Sequence, residues 1–531
     1  MRGNSKRENR EILLVSVSVT ERSENFIEGN ADMHANRKSD ESVVPATPAN
    51  NGAAEASAEP VEERDSAKRN VARNALPRTQ NRNERKTSRL HHVREAARKD
   101  SELKFTTLLH HVNEDCLTEA FFNLKKSAAV GVDGVTWSEY EQNLEENIVD
   151  LHGRIHRGAY RASPSRRSWI PKPDGRKRPL GIAALEDKIV QQAVVWVLQS
   201  IYEQDFLGFS YGFRPGRRQH DALDALSVAI LKRPVNWILD ADLEGFFDNI
   251  DQDWLMKFLE HRIADKRILR LIRKWLRAGV IEEGALTKTT KGTPQGAVIS
   301  PLLANVFLHY VFDLWIEWWR HNRCRGKVYV IRYADDFVIG FEREDDARRC
   351  LEALRQRLAK FRLKLNEAKT RLIEFGRHAI DRRQARGEKR PETFDFLGFT
   401  HKCAKSRKNG WFALHRHSMA KRMHATLAAI KVRLRKRMHR PPDETGRWLG
   451  SVLRGWLNYH AVPSNSIRLK RFVAEACRLW LRVLRRRSQK GRRGWTWQRF
   501  NRWARRYLPV ARILHPYPED RFHARLKAGA V

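Results

Sequence analysis

The sequence has no paired cysteines, no long apolar run and almost no acid in its last quarter. Cys116, Cys324, Cys350, Cys403 and Cys477 stand singly, with no Cys-x-x-Cys spacing. That excludes a zinc ribbon or a disulfide framework and fits a reducing compartment. No stretch reaches the roughly 18 apolar residues that a membrane-spanning helix requires, so no membrane partner is expected. Ile12 to Val19 is interrupted by serines and runs into Glu21-Arg22 without a small-residue cleavage site, which argues against a signal peptide. The acids scattered through the first hundred residues argue against a mitochondrial transit peptide. There is no repeat of fixed period.

What is abundant is positive charge, +39 over 531 residues. Residues 401–531 hold 34 Lys/Arg against 5 Asp/Glu, whereas residues 1–100 hold 19 against 16. A surplus of this size attracts phosphate and releases its counterions, so the expected partner is nucleic acid. The near-neutral centre leaves room for acidic groups with a chemical task.

Residues 1–85 are rich in Ser, Asn, Ala and Glu and lack periodicity, which predicts a disordered tail or an upstream start with Met33 as the genuine one. From about 86 to 400 strand and helix patterns alternate. After 400 the pattern reads as basic helices. Leu427, Ile430, Leu434 and Met438 form a stripe that Pro441-Pro442 stops, and Leu449, Leu453, Trp456 and Leu457 form a second that ends near Pro463. A third helix is expected after a Ser466 cap, with Leu469, Phe472, Ala476, Trp480 and Leu484 on one face and Arg478, Arg482 and Arg485 on the other. The apolar stripes read as core; the basic faces call for a partner.

Val328-Tyr-Val-Ile-Arg-Tyr-Ala-Asp-Asp-Phe-Val-Ile-Gly340 reads as two short strands around a tight turn that fixes Asp335 and Asp336 at its tip. Aspartates in turns commonly serve their own backbone, and that reading stands beside a catalytic one. A second carboxylate source is Trp237-Ile-Leu-Asp-Ala-Asp-Leu-Glu-Gly-Phe-Phe-Asp-Asn-Ile250, where alternation puts Asp240 and Asp242 on one strand face. Carboxylates on neighbouring strands suit a pair of magnesium ions about 4 Å apart, the arrangement used in nucleotidyl transfer.

Tyr333-Ala-Asp-Asp336 resembles the signature hairpin of reverse transcriptases, and Asp242-Leu-Glu-Gly-Phe-Phe247 is similar to that family's first metal-binding motif. The resemblance implies catalysis by Asp242, Asp335 and Asp336, with two Mg2+ ions held by these three and the Leu243 carbonyl. It implies Phe247 as a steric gate against a ribose 2′-hydroxyl; core packing is the alternative for either Phe246 or Phe247. Lys291-Gly-Thr-Pro-Gln-Gly-Ala-Val-Ile-Ser-Pro301 resembles the segment that contacts template and incoming nucleotide, with Gln295 and Gly296 at its centre. There Gly296 would let the backbone approach a base pair. Ile170-Pro-Lys-Pro-Asp-Gly-Arg-Lys-Arg-Pro-Leu-Gly-Ile182 looks like the fingers hairpin, with Lys172 and Arg178 placed to hold the triphosphate. Solvated charges on a glycine turn are the bland reading of that pair. Leu365-Asn-Glu-Ala-Lys-Thr370 resembles a later palm motif in which Lys369 could protonate pyrophosphate. Phe394-Asp-Phe-Leu-Gly-Phe399 is similar to the primer grip, centred on Phe396, Leu397 and Gly398.

Leu453-Arg-Gly-Trp-Leu-Asn-Tyr-His460 and Ile513-Leu-His-Pro-Tyr-Pro-Glu-Asp-Arg-Phe522 look like the thumb, or maturase, domain of group II intron-encoded proteins. The resemblance implies an α+β right-hand polymerase, fingers and palm, followed by an all-α thumb/maturase domain. The expected boundaries are an N-terminal extension and fingers over 86–185, fingers/palm over 186–400, thumb over 401–490 and a basic segment over 491–531. It implies an RNA-directed DNA polymerase, cytoplasmic and nucleoid-associated in a bacterium, that uses dNTPs, binds its intron RNA through Arg433, Arg435, Arg437, Arg482 and Arg485, assists splicing and copies the intron at target DNA. Without paired cysteines before Val531, second-strand cleavage by an HNH nuclease is not expected. Two other readings remain. One is a splicing cofactor with little polymerase activity, against which the intact aspartates argue; the other is a defence-associated reverse transcriptase, against which the thumb resemblance argues.

Overall fold

A computed structural model of the chain describes residues 90–171, 177–282, 285–287, 291–406, 408–487 and 494–527. The tail expected over 1–85 and Lys172 of the glycine hairpin lie outside the described residues. None of the described helices is long and apolar enough to cross a membrane.

The centre is a four-stranded antiparallel sheet built from β3 (Trp237–Ala241), β6 (Val328–Tyr333), β7 (Asp336–Phe341) and β8 (Arg371–Glu374), in the order β6-β7-β3-β8. Its strands read as nearly unbroken apolar runs because both faces are covered. Leu239, Val330, Ile339 and Phe341 face one core together with Leu255, Phe258, Phe307 and Leu354 of three helices. Ile238, Tyr329, Ile331, Val338 and Ile373 face the other, against Ala222, Leu226, Ala229 and Ile230 of the Gln219–Lys232 helix. A second sheet, in the order β2-β1-β4-β5, carries the glycine hairpin of β1 (Ser165–Pro171) and β2 (Lys177–Ile182), with β4 (Val280–Glu282) parallel to β1 and β5 (Ala285–Thr287) at the edge.

The change to helices expected after residue 400 comes at Ala420. Before it, β9 (Phe394–Phe396), β10 (Phe399–Lys405) and β11 (Phe412–Ser418) form a third sheet. Three long helices follow, Ala420–Lys436, Pro442–His460 and Ser466–Arg486. Their apolar stripes meet as the sequence pattern requires, burying Ile430, Leu434, Leu449, Leu453, Phe472, Trp480 and Leu484 together. Ser466 does not cap the third helix: the preceding Asn465 occupies the cap position, and its side chain reaches away to Ser418 and the His460 carbonyl. That amide ties the end of β11 to the joint between helices. The helix Pro518–Lys527 returns to pack on Gln219–Lys232, where the buried Asp224 receives both Arg521 and Arg416.

A charged residue sits next to the end of the apolar β6. Arg332 is fully buried and forks onto Asp313, with Nε to Oδ1 at 2.7 Å and Nη2 to Oδ2 at 2.5 Å. Its remaining donors reach Asn305 Oδ1 at 3.0 Å, Ser210 Oγ at 2.6 Å and the Ala334 carbonyl at 2.9 Å. Asp313 lies in a π-helical turn, His309–Asp313, that interrupts an otherwise α-helical path from Ser300 to Asn322. All five donors of this guanidinium are thus matched to a fixed fork of acceptors. Removing one member leaves an uncompensated buried charge. Arg332→Met should therefore lower stability by about 3–5 kcal/mol, and Arg332→Met with Asp313→Leu should recover most of it. Urea denaturation of the two variants checks this; a single variant as stable as the parent would show the pair to be dispensable.

Candidate active site

The hairpin of β6 and β7 turns in two residues, Ala334 and Asp335, with Tyr333 paired to Asp336 across the end. The turn requires a left-handed residue, and Ala334 takes φ +56°. That conformation costs about 1 kcal/mol for a residue with a side chain, so surrounding contacts must enforce it. They come from Arg332, which grips the Ala334 carbonyl, and from Gly212, where a Cβ would stand 2.2 Å from the Ala334 nitrogen. Tyr211 and Arg332 also exchange backbone bonds with this segment, Tyr211 N to Arg332 O at 2.8 Å and Arg332 N to Phe209 O at 2.9 Å. The carboxylates of Asp335 and Asp336 are thereby presented at a rigid tip.

Asp242 follows the end of β3, the strand beside β7, and its charge acts on both Asp335 and Asp336. Desolvation in the cleft pushes Asp336 up to about 7 from its ordinary 3.8, and the neighbouring Asp335 and Asp242 add to the rise. Asp335 is raised as well, first by desolvation. Asp336 is exposed to water, so solvent tempers these repulsions, but the direction is that of a desolvated acid beside other acids. Asp240, on the same face, is not free for such a role: Arg371 holds it at 3.3 Å, and desolvation lifts it to about 6.

Asp242 already carries one cation. Lys369 Nζ lies 2.6 Å from its Oδ2, and Asn366 Nδ2 is 3.3 Å from the same oxygen while Asn366 N donates to the Asp242 carbonyl at 2.8 Å. The ammonium stands where charge compensation is needed. An all-oxygen donor set with Asp335 and Asp336 raised suits a divalent metal, although the oxygens of Asp242, Asp335 and Asp336 do not all lie within 4.8 Å of one another.

Arg178, exposed on β2, acts on Asp335 from the glycine hairpin. Phe246 is buried against Phe307, whereas Phe247 is half-buried and packs on the edge of the same core. Gly296 is at φ +106°, and a Cβ there would stand 2.8 Å from the Gly181 carbonyl. Beside it, Gly181 N donates to the Gln295 carbonyl at 2.6 Å, fastening this loop to β2. Gln295 Oε1 is buried with no hydrogen-bond partner among the described residues. Leu397 and Gly398, both at positive φ, turn β9 into β10, and Tyr459 Oη donates to the Leu397 carbonyl at 2.7 Å.

Among the basic residues of the C-terminal helices, Arg433, Arg435 and Arg482 are exposed and meet no carboxylate among the described residues. Arg437 differs: it is half-buried, 3.3 Å from Glu444 and 4.9 Å from the Trp448 ring centre. Arg485 Nε donates to the Trp495 carbonyl at 2.8 Å. Arg332, Gly212 and Asn366 did not stand out in the sequence. A lone arginine within an apolar strand was a signal for the first; nothing local marks the other two.

Two carboxylates on a hairpin and a third on the adjacent strand, flanked by basic groups, define a nucleotidyltransferase of the polymerase class. The family model for reverse transcriptase (RNA-dependent DNA polymerase) matches residues 170–401. Protein YkfC of Escherichia coli (strain K12) is 32% identical over 335 residues, covering 55% of this chain and 87% of that protein. Group II intron-encoded protein LtrA of Lactococcus lactis subsp. cremoris is 37% identical over 207 residues, 39% of this chain and 34% of LtrA. The putative COX1/OXI3 intron 1 protein of Saccharomyces cerevisiae is 33% identical over 217 residues, 41% of this chain and 26% of that protein. The match thus spans about a third or less of these two intron proteins. The chain belongs to the reverse transcriptase family, as an RNA-directed DNA polymerase of the group II intron-encoded reverse transcriptase/maturase group.

The raised Asp336 carries a sign that can be measured. Between about pH 4 and pH 7 the folded state keeps a proton that the unfolded chain has released. Stability from this group therefore falls as pH rises through that window, and its cost is complete above about 7. Asp336→Asn should melt higher than the parent at pH 8 in EDTA and show no advantage at pH 4. Equal shifts at the two pH values would detach the effect from the carboxylate.

Proposed function

We propose that the protein binds a group II intron RNA through its C-terminal helices, assists its splicing, and copies it into DNA at a target site. In this reading the central sheet is the palm, the glycine hairpin the fingers, and the helices from Ala420 onward an all-α thumb. The observation that supports it most is the pair Asp335 and Asp336 at a rigid hairpin tip beside the β3 strand that leads into Asp242, joined in one chain to a region of 34 Lys/Arg and 5 Asp/Glu. Such a region supplies phosphate affinity without sequence demand. The protein would work in the cytoplasm, close to the nucleoid.

Asp242, Asp335, Asp336 and the Leu243 carbonyl would hold two Mg2+ ions, which activate the attacking 3′-hydroxyl and stabilise the leaving pyrophosphate. Lys172 and Arg178 would draw the triphosphate of the incoming dNTP to the cleft. Phe247, the half-buried ring, would stand against a 2′-hydroxyl. Gln295, with its orphan oxygen, and Gly296 would line the nucleotide site from the loop fastened to β2. Lys369 would leave Asp242 for the pyrophosphate oxygen as metal arrives, carrying a proton to it. Phe396, Leu397 and Gly398 would seat the primer of the growing cDNA. Arg433, Arg435 and Arg482 are the free contacts for intron RNA; Arg437 and Arg485 would contribute after giving up part of their present bonding.

Asp335→Asn with Asp336→Asn should reduce cDNA synthesis to background while leaving intron RNA affinity within about twofold, since neutral amides lose the metals but not the basic helices. Primer extension and filter binding on one preparation test this; retained extension would remove the pair from the active site. Arg433→Glu with Arg435→Glu should weaken RNA binding and flatten its log-log salt slope by roughly 0.7 to 0.9 for each phosphate that is no longer neutralised. A salt titration with an unchanged slope would move the RNA surface elsewhere.

A further inference from the structure

Outside the carboxylate triad, the described residues contain one group of three metal-ligating side chains whose ligand atoms all lie within 4.8 Å of one another: His91, His92 and Glu95. They open the helix His91–Lys99, which packs on the helix Leu185–Asp205 and buries Val93 and Ala97. An α-helix turns about 100° per residue, so positions 91, 92 and 95 share an arc of about 100° on the side opposite those two buried residues. Glu95 is four residues from His91 and three from His92, the two spacings at which helical side chains meet. Two imidazoles and one carboxylate thus converge on a single patch of the solvent face.

The distances separate a shared ligand from a plain ion pair. His91 Nδ1 stands 3.6 Å from Glu95 Oε2, too far for a hydrogen bond. Two ligands of a tetrahedral zinc, each about 2.1 Å from the ion, stand about 3.4 Å apart. The ring centres of His91 and His92 are 6.1 Å apart, farther than their ligand nitrogens, so the nitrogens point inward. Glu95 pairs with no lysine or arginine among the described residues, although Arg98 and Lys99 follow at helical spacing. The helix also starts without a side-chain cap and without an acid in its first turn, so a clip that ties residue 91 to residue 95 secures an end that nothing else holds. The positive end of the helix dipole opposes a cation there. Three ligands at bonding distance outweigh a partial charge spread over the turn.

We propose that His91, His92 and Glu95 form a binding site for a divalent cation of the zinc class, with water in its remaining positions. Imidazole selects zinc, copper and nickel over magnesium, which takes oxygen ligands. The site is therefore independent of the polymerase reading, whose carboxylates suit magnesium, and the bound ion holds the first turn of its helix closed.

The test uses the full chain, stripped of metal, supplied with excess Mg2+ to fill oxygen sites and titrated with ZnCl2 at about pH 7.5, where imidazole is largely neutral. Calorimetry reads affinity and amide hydrogen exchange reads location. The parent should bind zinc in an event that His91→Ala, His92→Ala and Glu95→Gln each weaken by more than about a hundredfold, beyond what the loss of an outer-shell partner causes. Zinc should slow exchange in the helix His91–Lys99 of the parent and of none of the three variants. Because all three side chains are exposed, the variants should keep the parent's circular dichroism. Zinc isotherms unchanged by all three substitutions would overturn the site, as would displacement of the zinc by Mg2+. Protection that appears elsewhere in the chain and not in this helix would equally leave His91 and Glu95 as a solvated pair.

Discussion

The buried Arg332–Asp313 pair is the interaction on which the site depends. A two-residue turn holding adjacent acids is repelled by its own charge and strained at Ala334. What holds it is a guanidinium that spans β6, the π-turn carrying Asp313, Asn305 of the same long helix, Ser210, and the strained carbonyl itself. A buried ion pair is weak support for stability in general, because desolvation cancels much of the attraction. Here its worth is in geometry: five bonds from one planar group allow a single position for the tip, and metal chemistry tolerates little displacement.

The acids and bases around that tip balance incompletely. Asp240 is satisfied by Arg371 and Asp242 by Lys369, while Asp335 and Asp336 are left to repel. That imbalance is stored strain at a functional place.

Much of this was legible in the sequence. The apolar runs, the Asp-Asp turn and the stripes of the last helices each follow from periodicity, and the structure forms them where the pattern says, because both faces of the central sheet are covered and each stripe has a partner. Other features were not legible. The extension of strand structure to Ser418 was hidden by the basic composition of β10 and β11, whose outward positions carry Lys402, His415 and His417. The Asn465 cap depends on Ser418, forty-seven residues away, and no local signal favours it over Ser466. Gly296 shows what no local signal reveals: its close approach to Gly181, more than a hundred residues earlier, fastens the loop to β2. Arg437 lay in a row of basic residues and could not be told from them until Trp448 and Glu444 were placed beside it.

The clasp at Asp224 bears on how such a chain comes into being. Its carboxylate is buried by the helix Gln219–Lys232, yet the arginines that neutralise it stand at positions 416 and 521. During synthesis, that helix emerges with an acid whose first counter-charge, Arg416, lies 192 residues further on and whose second, Arg521, lies 297 further on. The second core, formed on this helix and completed by Phe522, therefore closes late. At 5–20 residues per second, translation leaves an interval of roughly 15 to 60 seconds in which this face of the sheet is incomplete. A nascent polymerase in that interval lacks the Arg521 clasp on Asp224 and the Phe522 side chain in the second core, so the helix Pro518–Lys527 adds the last members of both.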